Sequence, residues 1–330
     1  MSSDPIEIAL PSDQTYFPGL LVTVFSIAKS ARQNAELSFN ILDGGIADDS
    51  FAVLQRAVAK VHPNTSFRRF KIAEQEFSSF PAWKGNRMTY VRYLLPELLP
   101  DSHFVVYADS DCLWLEDVAN VWARRDENVI LQAVYDASGE QQERPWFESR
   151  GLSFSGNKYF CNGLLLVNLN RFRFEKIVDQ AICFCQMHPD IMFADQSAFN
   201  HVVGERVVLM PRHLNVFTRD LSRGSIRCPI ILHYAGDLPW KAKAWISVYQ
   251  PPYMAKWFET FAAAANIDME EACAKFGCHY RKWLNSLLTY ALPRKWPRRL
   301  VLGILLLMGR HSLIKNLKRA SVRCGRIYKQ

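Results

Sequence analysis

Two carboxylates one residue apart, Asp109 and Asp111, directly follow an apolar run over residues 104–108. The run predicts a buried strand, and a strand end is a fixed platform for the side chains that come after it. Carboxylate oxygens are hard ligands that suit Mg²⁺ or Mn²⁺, and a cation held by only two of them keeps positions open for phosphates. The pair therefore predicts a metal–diphosphate site in a nucleotide-dependent transferase. Asp-x-Asp alone is also common in solvated turns and helix caps.

The elements that would position this pair alternate along the chain. Apolar runs predict strands over residues 6–10, 37–42, 67–72, 104–108, 164–168, 207–210 and 230–233. Helical spacing predicts helices over residues 20–28, 51–61, 87–99 and 174–188. The polar segment 136–155 has no periodicity and predicts a long loop. Alternating strands and helices predict an α/β fold with a mainly parallel sheet, whose ligands bind beyond the carboxyl ends of the strands.

The composition is that of a globular protein of 330 residues, with 49% hydrophobic and 22% charged residues. No run reaches the ~18 apolar residues that a membrane span needs, and the N-terminus has no signal-peptide pattern, so we expect a cytoplasmic protein. The eight cysteines are scattered and lack paired C-x-x-C spacing. Buried or idle reduced thiols are therefore expected rather than a zinc site.

The net charge of +8 hides a strong asymmetry. Residues 272–330 carry 14 Lys or Arg and no Asp or Glu, which leaves 26 basic and 32 acidic residues in 1–271. Within 281–330 the basic residues alternate with Trp, Tyr and Leu, and the apolar run 300–308 is too short to span a bilayer. This pattern predicts a segment that lies on an anionic membrane surface. Nucleic acid as the partner, or a solvated basic helix, are the alternatives that the pattern favours less.

Seven short motifs occur in one order between about residues 6 and 245. They are PSDQTY at 11–16, LDGGI at 42–46, TYVRY at 89–93, VYADSD at 106–111, YFCNGLLLVNL at 159–169, DQSAFN at 195–200 and HYAG at 233–236. Together they resemble glycosyltransferase family 8, most closely its bacterial branch of lipopolysaccharide and lipooligosaccharide α-galactosyl- and α-glucosyltransferases. The resemblance implies the GT-A fold, so we expect a catalytic domain over 1–250, followed by a helical connector over 251–280 and the basic, aromatic membrane-surface tail over 281–330 that the composition predicts.

The resemblance also implies the reaction. Relatives take a nucleotide sugar, usually UDP-linked, and transfer the sugar with retention to give an α-linkage. The expected product is a hexose, galactose or glucose, on a hydroxyl of a lipid-linked glycan such as the lipopolysaccharide core. The tail would bring the enzyme to this acceptor at the inner face of the cytoplasmic membrane.

Each motif then assigns roles to particular residues. Asp109, Asp111 and His233 would hold the cation, and this mixed carboxylate and imidazole set favours Mn²⁺, with Mg²⁺ as the alternative. A core histidine is the other interpretation of His233. The donor-binding residues would be Asp13, Tyr16, Arg92, Asn162, Gly236 and Lys241.

Asp13 would bind the uracil and Tyr16 would stack nearby, although a helix cap is an equal interpretation of Asp13 from the sequence alone. Arg92 could reach the diphosphate or the sugar, or could be a surface arginine. Asp195 and Gln196 are assigned as catalytic residues, with Asp195 on the sugar hydroxyls and Gln196 near the β-face of the anomeric carbon. Because an amide is a poor nucleophile, front-face attack by the acceptor is favoured over a covalent intermediate.

Three departures from the family pattern surround the donor sugar. Cys161 displaces the usual asparagine to Asn162, Ser197 stands where a second aspartate is common, and no lysine precedes Pro239, so that Lys241 or Lys243 would have to replace it. They keep open a second function, a non-catalytic nucleotide-sugar or glycan binding protein on a degenerate scaffold. A nucleotidyltransferase would need a glycine-rich loop after the first strand, which this chain lacks. A self-glucosylating primer would have no use for the basic tail.

Overall fold

The computed structural model describes residues 4–154, 158–221, 228–241 and 251–278, apart from 81, 83, 84, 86 and 237. The strands in these residues are β1 (Ile6–Ser12), β2 (Leu37–Asp43), β3 (Thr65–Lys71), β4 (Phe104–Ala108), β5 (Cys112–Trp114), β6 (Leu131–Tyr135), β7 (Phe160–Asn168), β8 (Val207–Met210), β9 (Val216–Phe217) and β10 (Ile231–His233). The helices are α1 (Phe17–Ser30), α2 (Asp48–Ala59), α3 (Leu95–Leu98), α4 (Ala119–Trp122), α5 (Ala137–Glu148), α6 (Leu169–Phe174), α7 (Ile177–Met187), α8 (Ala194–Val203), α9 (Thr218–Leu221), α10 (Pro251–Ala265) and α11 (Met269–Lys275).

Seven strands form the central sheet in the order β3-β2-β1-β4-β7-β6-β8. β7 is antiparallel to both of its neighbours, and the other pairs are parallel. Six strands therefore run one way and β7 runs the other. Every residue of β2, β4 and β7 is buried, which matches their near-continuous apolar sequence and places the core on both faces of the sheet. The predicted α/β fold with a mainly parallel GT-A-type sheet is confirmed.

A second, three-stranded sheet has the order β5-β10-β9. β5 follows Asp111 after a single turn from β4, and β10 pairs with it in antiparallel register, so that His233 lies opposite Cys112. This small sheet connects residues near position 112 with residues near position 233. It therefore determines which side chains meet beyond the end of β4.

The predicted loop over 136–155 is wrong, because most of this segment is helix α5. Asp136 caps the helix by accepting a hydrogen bond at Oδ1 from the backbone N–H of Gly139, at 2.9 Å. Its buried residues, Gly139, Glu143 and Phe147, are spaced four apart along one stripe. A buried glutamate in the middle of that stripe removed the apolar periodicity on which the loop prediction depended.

The predicted helix over 174–188 is confirmed as α7, although it begins three residues later than predicted. Helix α6 ends at Phe174, Lys176 adopts a left-handed backbone with φ 52°, and α7 begins at Ile177. The predicted helix over 87–99 is instead divided in two, into a 3₁₀ turn at Met88–Leu94 and the short helix α3. Local spacing predicted that these segments are helical but did not reveal where the chain turns.

The chain divides into two compact units, 1–217 with 226–233 and 218–225 with 234–330. In the second unit the indole of Trp257 is fully buried and stacks on Trp240 and Phe261, with ring centroids 5.7 and 5.4 Å away. Helices α10 and α11 fall in the predicted connector, and the described residues between 234 and 241 belong to this unit rather than to the first. The predicted functional boundary at residue 250 stays a prediction.

The predicted basic tail over 281–330 lies outside the described residues. Among the residues that the structure does describe, no helix combines the length and the apolar character that crossing a bilayer requires.

Candidate active site

The Asp109–Asp111 segment is held rigidly at the carboxyl end of β4. The hydroxyl of Thr23, on α1, donates to the backbone oxygens of Ser110 and Cys112 at 3.1 and 2.7 Å. The hydroxyl of Ser110 donates to the backbone oxygen of Pro11 in β1. The backbone of the pair is therefore fixed to α1 and to β1, and the end of β4 is the rigid platform that the sequence predicts.

His233 meets Asp111 because β10 lies against β5. Its Nε2 is 3.1 Å from Oδ1 of Asp111, close enough for an ion pair although not aligned as a hydrogen bond. The Nδ1–H group of His233 donates a hydrogen bond to Oδ1 of Asn215, with 3.0 Å between the nitrogen and the oxygen. This bond orients the ring with Nε2 toward Asp111. Burial disfavours the imidazolium, but the Asp111 carboxylate outweighs this effect and raises the pKa of His233 well above its usual range.

Asp109 has a different environment from Asp111. Its Oδ1 accepts from the hydroxyl of Tyr107 at 3.0 Å and from Nη2 of Arg92 at 3.3 Å. Burial raises the pKa of Asp109, Arg92 opposes that rise, and Asp111 adds to it. A cation bound beside Asp109 would favour its charged form against this burial.

Two observations test whether these residues fit a divalent cation. Oδ1 of Asp111 is buried and has no hydrogen-bond partner among the described residues, which is the state expected of a ligand atom. In addition, a Cβ at Gly163 would lie 2.9 Å from Nδ1 of His233 and 3.0 Å from Oδ2 of Asp109. Only glycine admits the His233 ring beside Asp109 at this point, so two predicted ligands come together here and the residues fit the predicted cation.

The ligand atoms that lie closest together, however, are not quite the predicted set. An oxygen of Asp111, the Sγ of Cys112 and a ring nitrogen of His233 lie within 4.8 Å of one another, and Asp109 is outside this group. Sequence reasoning missed Cys112, although its position directly after Asp111 was a signal. Burial raises the pKa of the Cys112 thiol well above its usual range, with Asp111 and Asp109 adding to the rise.

Arg92 lies at the centre of a second, buried cluster. Its Nη1 donates to the backbone oxygen of Asn162 at 2.7 Å, and its Nε is 3.1 Å from Oδ2 of Asp195. Its guanidinium also lies over the ring of Tyr107, 4.5 Å from the centroid. With 6% of its surface exposed, Arg92 is not the surface residue of the alternative interpretation. It joins Asp109 to Asp195 across the site.

Asp195 is buried, and both of its oxygens already have partners. The hydroxyl of Thr89 donates to Oδ1, and Nδ2 of Asn162 donates to Oδ2 at 2.9 Å. The predicted contact between Asp195 and sugar hydroxyls stays a prediction, since one of these partners would have to be shared or displaced. Thr89 was missed from the sequence, although it lies three residues before Arg92 in the same motif.

Gln196 follows Asp195 in α8, and its amide is held at both ends. Its Oε1 accepts from the backbone N–H of Asn162 at 3.0 Å, and its Nε2 donates to Oδ2 of Asp136 at 3.4 Å. The side chain is therefore oriented by β7 on one side and by the cap of α5 on the other. The predicted position of Gln196 at the anomeric carbon is a proposal taken up below.

The nucleotide-binding predictions fall in both units. Oδ1 of Asp13 accepts from the backbone N–H groups of Thr15 and Tyr16, both at 2.8 Å, so this residue does close the turn before α1. Burial raises the pKa of Tyr16 to about 12, and Asp111, Asp109 and Asp13 add to the rise, which places its phenol among these carboxylates. Gly236, with φ +83°, and Lys241 belong to the second unit, and their donor contacts stay predictions.

The departures from the family pattern have defined structural roles. Ser197 and Tyr159 share a hydrogen bond between their hydroxyls at 2.6 Å, and Cys161 accepts at Sγ from the backbone N–H of Gly163 at 3.2 Å. Both departures therefore make hydrogen bonds with neighbouring residues of the 159–169 motif. The third departure, at Pro239, lies in the second unit.

The sheet order and the carboxylate pair beyond β4 define a GT-A-type glycosyltransferase. The family model described as "Glycosyl transferase family 8" matches residues 7–246. The chain belongs to glycosyltransferase family 8 and is a glycosyltransferase.

Relatives of this chain agree with that assignment. A Haemophilus influenzae protein named as a glycosyltransferase is 26% identical over 245 residues, covering 71% of this chain and 72% of that protein. General stress protein A of Bacillus subtilis is 24% identical over 266 residues, covering 75% and 90%.

Two solved structures share the fold. The galactosyltransferase LgtC, solved in complex with donor and acceptor sugar analogs, superposes with a TM-score of 0.66 at 22% identity over 78% of this chain and 96% of LgtC. The apo bifunctional glycosyltransferase WbbM superposes with a TM-score of 0.67 at 18% identity over 83% of this chain. This chain corresponds to 52% of WbbM, about half of its length.

Proposed function

We propose that this glycosyltransferase moves a hexose, galactose or glucose, from a UDP-sugar to a sugar hydroxyl of a lipid-linked glycan such as the lipopolysaccharide core. The transfer is assisted by a divalent cation, Mn²⁺ in preference to Mg²⁺, and retains the α-configuration. One observation carries the proposal. Asp109, Asp111 and His233 converge beyond β4, and Arg92 connects them to the Asp195–Gln196 pair, in a chain of family 8.

Departure of UDP places negative charge on its β-phosphate, and a cation held by Asp109, Asp111 and His233 would stabilise that charge. Tyr16 and Asp13, at the end of β1, hold the uridine beside these ligands. Arg92 fixes the positions of Asp109 and of Asp195 at once, because it pairs with both carboxylates. The rigid guanidinium of Arg92 therefore sets the distance between Asp109, on the diphosphate side, and Asp195, on the sugar side.

The hydrogen bonds of Asp195 support front-face attack. A carboxylate nucleophile needs a free oxygen directed at the anomeric carbon, whereas both oxygens of Asp195 are engaged by Thr89, Asn162 and Arg92. Gln196 is oriented by its two hydrogen bonds but is a poor nucleophile. The acceptor hydroxyl then attacks from the side that UDP leaves, and the departing phosphate takes its proton.

The location of the acceptor is proposed from charge. The 13 basic residues of 281–330, interleaved with Trp, Tyr and Leu, would hold the enzyme on the anionic inner face of the cytoplasmic membrane. Reversible attachment of this kind keeps the active site within reach of a lipid-linked glycan. The same charge distribution argues for a membrane partner rather than a nucleic acid, because counterion release does not require the nine-residue apolar run.

The deciding experiment measures UDP release from a panel of UDP-sugars with Mn²⁺, in the unmodified chain and in the Asp109→Ala/Asp111→Ala double variant. Metal-dependent release from one sugar, lost in the double variant, supports the proposal and names the donor. The matched control is Asp101→Ala, an exposed carboxylate outside the site. Binding of a UDP-sugar with no turnover on any acceptor would instead identify a binding protein.

A further inference from the structure

The tightest group of metal-ligating atoms in the described chain contains a sulfur. Cys112 lies opposite His233 in the antiparallel pair of β5 and β10, and directly opposed residues project their side chains from the same face of a sheet. The residues are 1% and 3% exposed, so neither side chain is directed into solvent. Asp111, the residue before Cys112 in the chain, completes the group within 4.8 Å.

Two of the three donor atoms, the sulfur of Cys112 and an oxygen of Asp111, lack a hydrogen bond of normal length among the described residues. The Sγ of Cys112 has a single long contact with the backbone oxygen of Gly163, at 4.0 Å. Oδ1 of Asp111 has no hydrogen bond among the described residues, and Nε2 of His233 faces it at 3.1 Å. The backbone around Cys112 is meanwhile fixed by Thr23. The group is therefore a rigid set of donor atoms in which Asp111 and His233 pair with each other and the thiol of Cys112 has only a long contact.

We propose that Asp111, Cys112 and His233 bind a thiophilic divalent cation, Zn²⁺ by its ligand chemistry, at a site that overlaps the site for the donor-binding cation. Thiolate, imidazole and carboxylate are the three ligand types that Zn²⁺ takes in proteins, and three protein ligands leave its fourth position open. With bonds of about 2.0–2.3 Å, tetrahedral donor atoms stand roughly 3.3–3.8 Å apart. The three atoms, within 4.8 Å of one another, therefore need to approach by about 1.5 Å at most. The Cys112 proton passes to solvent as the Zn–S bond forms.

Zinc at this site excludes the cation of the transfer reaction, because Asp111 and His233 cannot serve both. Nitrogen, oxygen and sulfur sites generally bind Zn²⁺ more tightly than Mn²⁺, and a thiolate ligand widens the difference. Zn²⁺ is then an inhibitor that competes with Mn²⁺. This consequence rests on the proposed function, whereas the ligand set does not.

The test uses Co²⁺, which replaces Zn²⁺ and gives a sulfur-to-metal charge-transfer band when a thiolate binds it. We expect a one-to-one band in the unmodified chain and in Cys183→Ser, an exposed cysteine that serves as the control, and no band in Cys112→Ser. Isothermal titration should show Zn²⁺ affinity falling at least about tenfold in Cys112→Ser, with the Mn²⁺ affinity unchanged. A band that survives in Cys112→Ser, or that disappears in Cys161→Ser instead, overturns the ligand set.

A second measurement does not depend on a variant that folds. X-ray absorption of the one-to-one zinc complex of the unmodified chain should show one sulfur at about 2.3 Å, and nitrogen and oxygen ligands near 2.0–2.2 Å. A shell of nitrogen and oxygen alone overturns the proposal. Because both readouts are spectroscopic, they stand whether or not any UDP-sugar turns over, so this inference and the proposed function can fail separately.

Discussion

A Cβ added to Gly163 would lie 2.2 Å from Cε1 of His233. The two residues lie far apart in the chain, and this close approach of a backbone to an imidazole is possible only because β7 carries a glycine at this point. The Asn-Gly of the 159–169 motif therefore has a mechanical role. It leaves room for the histidine that the site needs.

Gly163→Ala should weaken metal binding and lower kcat/KM, because the histidine ring must move away from Asp111. Crowding of this kind should also cost about 1–3 kcal/mol of unfolding free energy. Titration with Mn²⁺ and urea denaturation measure the two effects. Gly151→Ala is the control: its φ of +64° makes a side chain cost about 1–2 kcal/mol, but nothing lies within 4 Å of the added Cβ. Equal Mn²⁺ affinity in the two variants would contradict the role assigned to Gly163.

Asn215→Leu should lower the Mn²⁺ affinity by about 10- to 100-fold, the usual loss when the residue that orients a metal-binding histidine is removed. The reason is the 3.0 Å hydrogen bond that holds the His233 ring. Calorimetric titration checks it against Asn120→Leu, an exposed position on α4. No change in affinity would mean that the ring is held by packing alone.

Arg92→Met should destabilise the fold by about 3–5 kcal/mol, since it leaves Asp195 as a buried charge without its partner. Adding Asp195→Asn should recover part of this loss, with a coupling energy of about 0.5–3 kcal/mol in a double-mutant cycle. The surface pair of Arg150 and Asp190 is the comparison, where the same replacements should change stability by less than about 1 kcal/mol. Strictly additive effects at Arg92 and Asp195 would show that the two charges do not stabilise each other.

Gln196→Ala should lower kcat by roughly 10²-fold, the scale of losing one polar group at a reacting centre, with little change in the KM for the donor. The measurement is steady-state UDP release with the donor identified by the panel. Gln180→Ala removes an amide from the exposed surface of α7 and should leave both constants unchanged. Unaltered turnover in Gln196→Ala would remove this residue from the mechanism.

Reversing four charges in the tail should abolish binding to anionic vesicles. With each basic residue contributing about 1 kcal/mol near such a surface, the change amounts to at least about 4 kcal/mol, close to a thousandfold in affinity. Co-sedimentation of the full chain with vesicles of neutral or anionic lipid measures it. The variant is Arg294→Glu/Lys295→Glu/Arg298→Glu/Arg299→Glu, and the control reverses four exposed residues elsewhere, Arg56→Glu/Lys60→Glu/Arg124→Glu/Arg125→Glu. Equal loss in both variants would mean that overall charge, and not the tail, drives binding.

The sequence predicted the parts of the fold that depend on local pattern. Strands buried on both faces are continuous apolar runs, so β2 and β4 were found within a residue or two, and the carboxylate pair after β4 followed directly. Helix α5 was missed because a buried glutamate, Glu143, interrupts its apolar stripe. Its polar partners lie far away in the chain, where no local pattern reveals them.

The candidate site was predicted less completely, for the same reason. His233 was assigned through its motif, but the register of β10 on β5 is a long-range property, so Cys112 and Asn215 could not be placed beside it. The sequence predicted that Arg92 binds the donor. Its burial between two carboxylates is visible only in the folded structure. Residue types predict the chemistry, and the pairing of distant strands decides which of them meet.

The reversed strand β7 has a consequence for how the enzyme matures. It lies between β4 and β6, although β6 precedes it in the chain, so the two earlier strands remain unjoined until residues 160–168 are inserted between them. A nascent chain that ends before residue 160 carries both carboxylates but lacks the backbone oxygen of Asn162 that accepts from Arg92, the glycine that admits His233, and the histidine itself. In such a chain β4 and β6 each have an unpaired edge, and unpaired strand edges promote aggregation. The residues proposed to bind the cation are therefore all present only after the gap in the sheet has been closed and His233 has been added.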